Sequence, residues 1–341
     1  MDVDLTPRPD AEGLEDAPAE GFAFATGGSF VLDAPAVPRA IWGAGDDVLW
    51  PDGEALMVAS LQGLGKSTLA QQLALGRAGI PEFATLLGYP VRPGARRVLY
   101  LAMDRPRQIQ RSLRRMVGEA HRAELDARLI VWTGPPPADL ARHPRLLTQM
   151  CEAADADTCI VDSLKDAAMK LTDDETGAGW NWARQHAIRA GVELAELHHN
   201  RKTLAGTRAE RPTIDEVYGS TWLTSGCGSV VLLSGAPGDP VVGLHHVKQP
   251  AAEVGPLKVI HDHDAGRSTV WHAADLVEVA RIRGGLSAVD AAAVLFETER
   301  PSAAEKEKAR RKLAALASQG LLVVLDPGDQ GAKRAAKWGA A

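Results

Sequence analysis

The chain has 341 residues, 45% hydrophobic and 24% charged, proportions ordinary for a globular protein with room for one large domain and one small one. No run approaches the roughly 18 apolar residues of a membrane helix, and Met1-Asp-Val-Asp lacks the basic start of a signal peptide, so no membrane partner and a cytoplasmic location are expected. Cys151, Cys159 and Cys227 have neither metal nor redox spacing, which agrees with a reducing compartment.

The net charge of −6 is unevenly spread. Residues 1–20 hold Asp2, Asp4, Asp10, Glu12, Glu15, Asp16 and Glu20 against Arg8 alone, and this segment accounts for the whole charge. The rest of the chain is neutral overall, so an acidic total does not argue against a nucleic-acid partner. Residues 1–28, acidic and rich in Pro, Gly and Ala, read as a disordered tail. Phe30-Val-Leu-Asp and Ala40-Ile-Trp-Gly are short elements leading into a core.

The apolar run Glu54–Ser60 is followed by Leu61-Gln-Gly-Leu-Gly-Lys-Ser-Thr68, and a helical pattern begins at Ser67. Strand, glycine-rich loop, Gly-Lys-Ser and helix are the layout of a phosphate-binding loop. Gly63, Leu64, Gly65, Lys66, Ser67 and Thr68 would cradle the phosphates of ATP, with Lys66 on the β/γ oxygens and the Ser67 hydroxyl on Mg²⁺. One position departs from the pattern: Ser60 stands where the motif has its first glycine. Glu82–Gly88 then suggests a helical turn closed by glycine.

Arg97–Met103 is a buried strand ending at Asp104, and a helix follows with Gln108, Ser112 and Met116 on one face. Ligands of parallel α/β sheets bind at the carboxyl ends of strands, so Asp104 is placed to orient and deprotonate an attacking water. Leu129–Thr133 reads as a strand and 144–154 as a helix. Thr158-Cys-Ile-Val-Asp162 is an apolar strand closing on an aspartate that would hold Mg²⁺ from beside the loop. Asp166 is a second acid for the role of base. Trp180–Arg189 has helical character, and Val192–Lys202 is a strand ending in His198-His199. Neighbouring strand residues face opposite ways, so these histidines suit a γ-phosphate sensor better than a shared metal. The segment 200–217 is loop-like and carries Arg201, Lys202, Arg208 and Arg211, bases suited to a nucleic-acid backbone.

Ser229–Leu233, Val241–Val247, Leu257–His261 and Ser268–Trp271 read as strands forming antiparallel hairpins at one sheet edge. Lys248 follows the second of them, and His261-Asp-His263 is a weak metal pattern without a third ligand. Helices at Asp275–Arg283, Ser287–Phe296 and Ser302–Ser318, then a hairpin from Leu321, give the order of a winged helix-turn-helix. Residues 303–341 hold eight bases against four acids, and Lys308, Arg311 and Lys312 on the third helix are the candidates for a DNA groove.

The ordered set resembles the RecA-like core of RepA-type hexameric replicative helicases, and more closely the ATPase modules of primase–helicase proteins from actinobacterial phages and mobile elements. The resemblance covers roughly residues 45–275. It implies an α/β, RecA-like P-loop core at 29–273 with a largely parallel sheet and edge hairpins, followed by a winged helix at 274–341. Lys66 and Ser67 match the Walker A lysine and Mg²⁺ ligand, and Asp162 matches Walker B. Asp104 stands where that family usually has a catalytic glutamate. His198 and His199 match the sensor strand, with His199 counted among the catalytic groups, and the loop beyond matches the central-channel DNA loop. Lys248, in His246-Val-Lys-Gln-Pro250, matches the basic residue offered across the ring interface. The implied protein is a Mg²⁺- and ATP-dependent hexameric motor on single-stranded DNA, with any primase or initiator a separate chain. Two other classes remain: an ATP-controlled DNA-binding regulator, and an accessory or defence ATPase acting on protein partners.

Overall fold

The computed structural model describes residues 24–201, 212–236, 241–262, 264–271, 276–296, 298, 300–318, 320–328 and 335–341; the side chains of 278, 308 and 315 also lie outside the description. Of the sequence-derived tail, 24–28 are described: Gly27–Leu32 is a helix (α1) with no buried residue. Strands β1 (Ala40–Ala44) and β2 (Asp47–Pro51) pair antiparallel and bury Trp42 and Trp50.

β3 (Leu56–Ser60) is buried along its whole length, as expected of a central strand covered on both faces. Helix α2 (Lys66–Arg77) follows the phosphate-binding loop. The stretch expected to be a helical turn instead makes a 3₁₀ turn at Pro81–Phe83 and then a small hairpin, β4 (Thr85–Leu86) with β5 (Tyr89–Pro90). Leu87 and Gly88 between them both have positive φ, the backbone of a two-residue hairpin loop, so Gly88 turns a strand rather than ending a helix.

The chain then runs β6 (Arg97–Ala102), α3 (Pro106–Met116), α4 (Arg122–Arg128), β7 (Leu129–Thr133), α5 (Leu146–Ala153), β8 (Ala156–Asp162), α6 (Leu164–Ala167), α7 (Asp174–Arg189) and β9 (Glu193–His199). Helix α8 (Trp222–Ser225) precedes β10 (Ser229–Ser234), β11 (Val241–Lys248), β12 (Leu257–Asp262) and β13 (Arg267–Val270). These form one sheet in the order β13-β12-β11-β10-β3-β9-β8-β6-β7. From β10 to β7 every pairing is parallel, and β11 to β13 add antiparallel hairpins at one edge, as the sequence predicts. Alternation along β3 sends Leu56 and Val58 into one core with Leu69 and Leu73 of α2, and Met57 and Ala59 into the other with Leu147 of α5 and Trp180 of α7. All three cysteines are buried and free.

A third core gathers Leu276, Ala280, Leu286, Ala291, Leu313, Leu322 and Trp338. Its elements are α9 (Leu276–Arg283), β14 (Leu286–Ser287), α10 (Ala288–Leu295), α11 (Ala303–Ser318), β15 (Leu322–Asp326) and β16 (Lys337–Ala340), with the strands in the order β14-β16-β15. Ser287 starts α10 through a reciprocal capping box with Asp290.

Candidate nucleotide-binding site

Four strand ends meet at one place. Ser60 ends β3 and is in register with His199, which ends β9; Asp162 ends β8 and is in register with Ala102, which ends β6 two residues before Asp104. A cavity of about 280 Å³ opens there, lined by Gln62, Gly63, Gly65–Thr68, Gln71, Asp104, Arg105, Gln108, Ser112, Arg115, Asp162 and His199 among others. The position outside the carboxyl ends of parallel strands is where such sheets bind ligands.

Gly65 precedes α2 with φ +87°, a left-handed conformation natural to glycine. A β-carbon there would also meet His261 Nε2 at 2.1 Å. His261, on β12, explains this closeness: its Nε2–H donates to Leu64 O at 3.1 Å while Nδ1 accepts from Ser268 Oγ at 2.8 Å. Ser268 in turn exchanges two hydrogen bonds with Gln72 of α2. The edge hairpin therefore braces the phosphate-binding loop and its helix. His261, read from sequence as one end of a metal pattern, is a support for the loop; His263 lies outside the described residues. Among the described residues no cluster of three metal-ligating side chains is present. Leu64, expected at the ligand, has its side chain in the core and contributes only backbone.

Lys66 is buried, and its Nζ donates to Ser60 O, Ser60 Oγ and Leu61 O at 3.0–3.1 Å. The serine that breaks the motif is thus an extra acceptor for the motif's lysine. Burial pulls Lys66 down to about 8, opposed by the charge of Asp162 and aided by that of Lys165. Burial pushes the Asp162 carboxyl up, while hydrogen bonds from Tyr100 and Ser67 hold it back. Tyr100, fully buried, donates to Asp162 Oδ2 at 2.8 Å; its own pKa is raised well above the usual value, so it stays a donor. Ser112 Oγ donates to Gln71 Oε1 at 2.6 Å, tying α3 to α2 above this pair.

Asp104 lines the cavity, with Oδ2 3.2 Å from Lys165 Nζ and 3.5 Å from Arg105 Nε. Asp166, the second acid proposed from sequence, does not line it: Ser163 Oγ donates to its Oδ2 at 2.9 Å. His199 faces the cavity and is lowered to about 4, first by burial and then by the charges of Lys66 and Lys165, so at neutral pH it is an uncharged imidazole. His198 does not line this cavity; its Nε2–H donates to Tyr218 O at 2.6 Å, and it borders an adjoining cavity instead. His199 also borders that adjoining cavity, of about 530 Å³ and lined by Lys165, Asn200, Arg201 and Tyr218.

Three predicted residues lie elsewhere. Lys248 Nζ donates to Thr224 O and Ser225 O at 3.1 and 2.8 Å, seated on the last carbonyls of α8 and not in this cavity. Arg311 is bonded to Glu307, as is Arg310, whereas Lys312 is exposed. Lys202, Arg208, Arg211 and the Lys308 side chain lie outside the described residues; Arg201 is exposed and donates weakly to Gly219 O. Sequence reasoning missed Tyr100, Lys165 and Gln71. A tyrosine inside an otherwise aliphatic strand was the available signal, because a buried hydroxyl needs a partner.

A family model described as an AAA domain matches residues 29–205, just over half of the chain. The chain belongs to the AAA domain family. It is therefore a P-loop ATPase-type protein, which supports nucleotide binding and hydrolysis. No curated protein matches the chain. The donor set of the AAA domain fits Mg²⁺·ATP on its own chemistry: a buried ammonium with only loop oxygens around it, a hydroxyl and a carboxylate at Ser67 and Asp162, and a second carboxylate at Asp104.

Proposed function

We propose that the protein is an ATP-hydrolysing DNA motor, a ring-forming helicase of the RepA type with single-stranded DNA as its track. The observation that carries this reading is the continuity of β9: it brings His199 to the nucleotide cavity and runs directly into the basic 200–217 segment. Bound Mg²⁺·ATP would supply a γ-phosphoryl group for transfer to water. Lys66 neutralises the phosphates, exchanging loop oxygens for phosphate oxygens. Ser67 and Asp162 would hold the Mg²⁺, with the Tyr100 hydroxyl fixing the carboxylate. Asp104 orients the water and takes its proton, and neutral His199 donates a hydrogen bond toward the γ-phosphate. Lys248, seated at the end of β11 away from its own cavity, serves a neighbouring subunit in a hexamer, where it would stabilise charge as an arginine finger does.

The C-terminal unit from Leu276, three helices with a small three-stranded sheet, is read as a winged helix-turn-helix with α11 as its DNA helix. That unit favours one second reading, an ATP-controlled regulator that binds a duplex site. Steady-state ATP hydrolysis with and without single-stranded DNA separates the two, with Lys66→Ala as the blank. Strong stimulation by single strands, absent in Lys66→Ala, is the expected result. Turnover indifferent to single strands, with tight binding of particular duplex sequences, would replace the motor by the regulator.

A further inference from the structure

We propose that the exposed arginine face of α3 binds the phosphodiester backbone of a single-stranded nucleic acid beside the nucleotide cavity, an assignment that rests on the DNA-motor reading. From Arg105 to Gly118 the chain carries Arg105, Arg107, Arg111, Arg114 and Arg115 and no acid, and all five arginines are exposed. The helix is oriented by its other side: Ile109 and Met116 are buried and Ser112 is bonded to Gln71. Arg107, Arg111 and Arg114 follow at spacings of four and three, so they form one stripe about 10 Å long at 1.5 Å rise per residue.

Several arginines elsewhere are paired with carboxylates, Arg92 with Asp52, Arg122 with Glu119, Arg184 with Glu196, Arg310 and Arg311 with Glu307, and others, such as Arg128 and Arg267, with backbone carbonyls. Arg107 and Arg111 have no hydrogen bond or ion pair to a described residue, and with Arg105, Pro106 and Gln108 they line an open recess of about 460 Å³. No carboxylate lines that recess, and the Asp104 contact of Arg105 is long at 3.5 Å. Guanidinium forks match phosphate oxygens in pairs, and successive helical turns present them about 5.4 Å apart, a repeat suited to consecutive phosphates of one strand. The recess shares Arg105 and Gln108 with the nucleotide cavity. Arg105 is held at φ +50°, unusual for a residue with a side chain, at the junction of the two. A strand seated on α3 therefore touches residues that also border the nucleotide.

The test is fluorescence anisotropy of labelled oligo-dT over a salt series, using the full chain, Arg107→Gln/Arg111→Gln, the matching Lys pair and Arg201→Gln. The Gln pair should bind roughly tenfold or more weakly, and its log–log salt slope should fall by about 1.4, at about 0.7 for each phosphate left without its arginine. The Lys pair should keep the slope and bind a few-fold more weakly, since charge remains and the paired geometry does not. Unchanged melting temperatures establish that the variants fold. If the full chain binds oligo-dT and the Gln pair binds it with equal affinity and slope, this inference is overturned and the motor reading stands. If the full chain binds no oligo-dT, both fall. If polyglutamate competes as well as oligo-dT does, the face takes acidic chains in general, and the nucleic-acid assignment is overturned.

Discussion

Replacing Tyr100 with Phe removes one oxygen atom from the site and leaves the ring's packing unchanged. That oxygen lies 2.8 Å from Asp162 Oδ2, in a fully buried tyrosine beside a buried carboxylate. A hydrogen bond to a charged group is worth about 1.5–3 kcal/mol. Losing that bond should therefore raise the Asp162 carboxyl further, beyond the upward push that burial already gives it. The sign follows from the role proposed for Asp162: a carboxylate would hold Mg²⁺ and the acid would not. Activity is full above its pKa and is lost as pH falls through it, so a higher pKa moves the acid limb of the pH–rate profile upward. The assay is ATP hydrolysis at saturating Mg²⁺·ATP across acidic pH, with the melting temperature recorded alongside. An acid limb and melting temperature equal to those of the natural chain would refute the reasoning, because the hydroxyl would then be contributing nothing to the carboxylate.

Gly65→Ala should weaken nucleotide binding by at least about tenfold in a fluorescent-nucleotide titration, from the left-handed backbone alone, with the His261 collision in addition. Adding His261→Ala should recover part of the affinity, and no recovery would discount the collision. Glu196→Ala should destabilise the fold by about 3–5 kcal/mol in denaturant titration, because Arg184, fully buried and bonded to Glu196 at 2.7 and 2.9 Å, is left uncompensated. Arg184→Met/Glu196→Leu should regain most of that. His198, His199 and His246, each lowered to about 4 chiefly by burial, are neutral in the fold and take up protons more readily when unfolded. Stability should therefore be full above the ordinary histidine value of about 6.5 and fall as pH drops from there toward 4, with His198 alone accounting for up to about 3 kcal/mol. Melting temperatures flat from pH 7 to 5 would contradict this.

The elements of the site that the sequence discloses are those built from adjacent residues. The run into Gly63-Leu-Gly-Lys-Ser67, and the apolar strands closing on Asp104, Asp162 and His199, each announce a strand end with a polar group, and the fold brings these ends together. What the sequence hides is set by contacts across the chain. Nothing near His261 says that it will lie under Gly65, nearly two hundred residues away, so its neighbour His263 suggested a metal instead. Lys165 and Asp104 become an ion pair only because β6 and β8 are neighbours in a sheet order that runs against chain order. Arg107 and Arg111 were visible as letters, but that neither bonds to a described residue is a property of the surface alone.

The brace from β12 and β13 has a consequence for where this AAA domain ends as a physical object. The family match stops at residue 205, yet β10, which pairs with β3 from Leu56 to Ser60, and the His261–Ser268–Gln72 contacts all come later. A fragment cut at the match boundary would carry the whole phosphate-binding motif on a strand with one flank stripped of its partner. Bare apolar strand edges recruit one another, so such a fragment would be expected to clump rather than bind nucleotide. The smallest piece that behaves as this ATPase therefore has to reach at least to Val270, some sixty-five residues past the boundary drawn by family likeness.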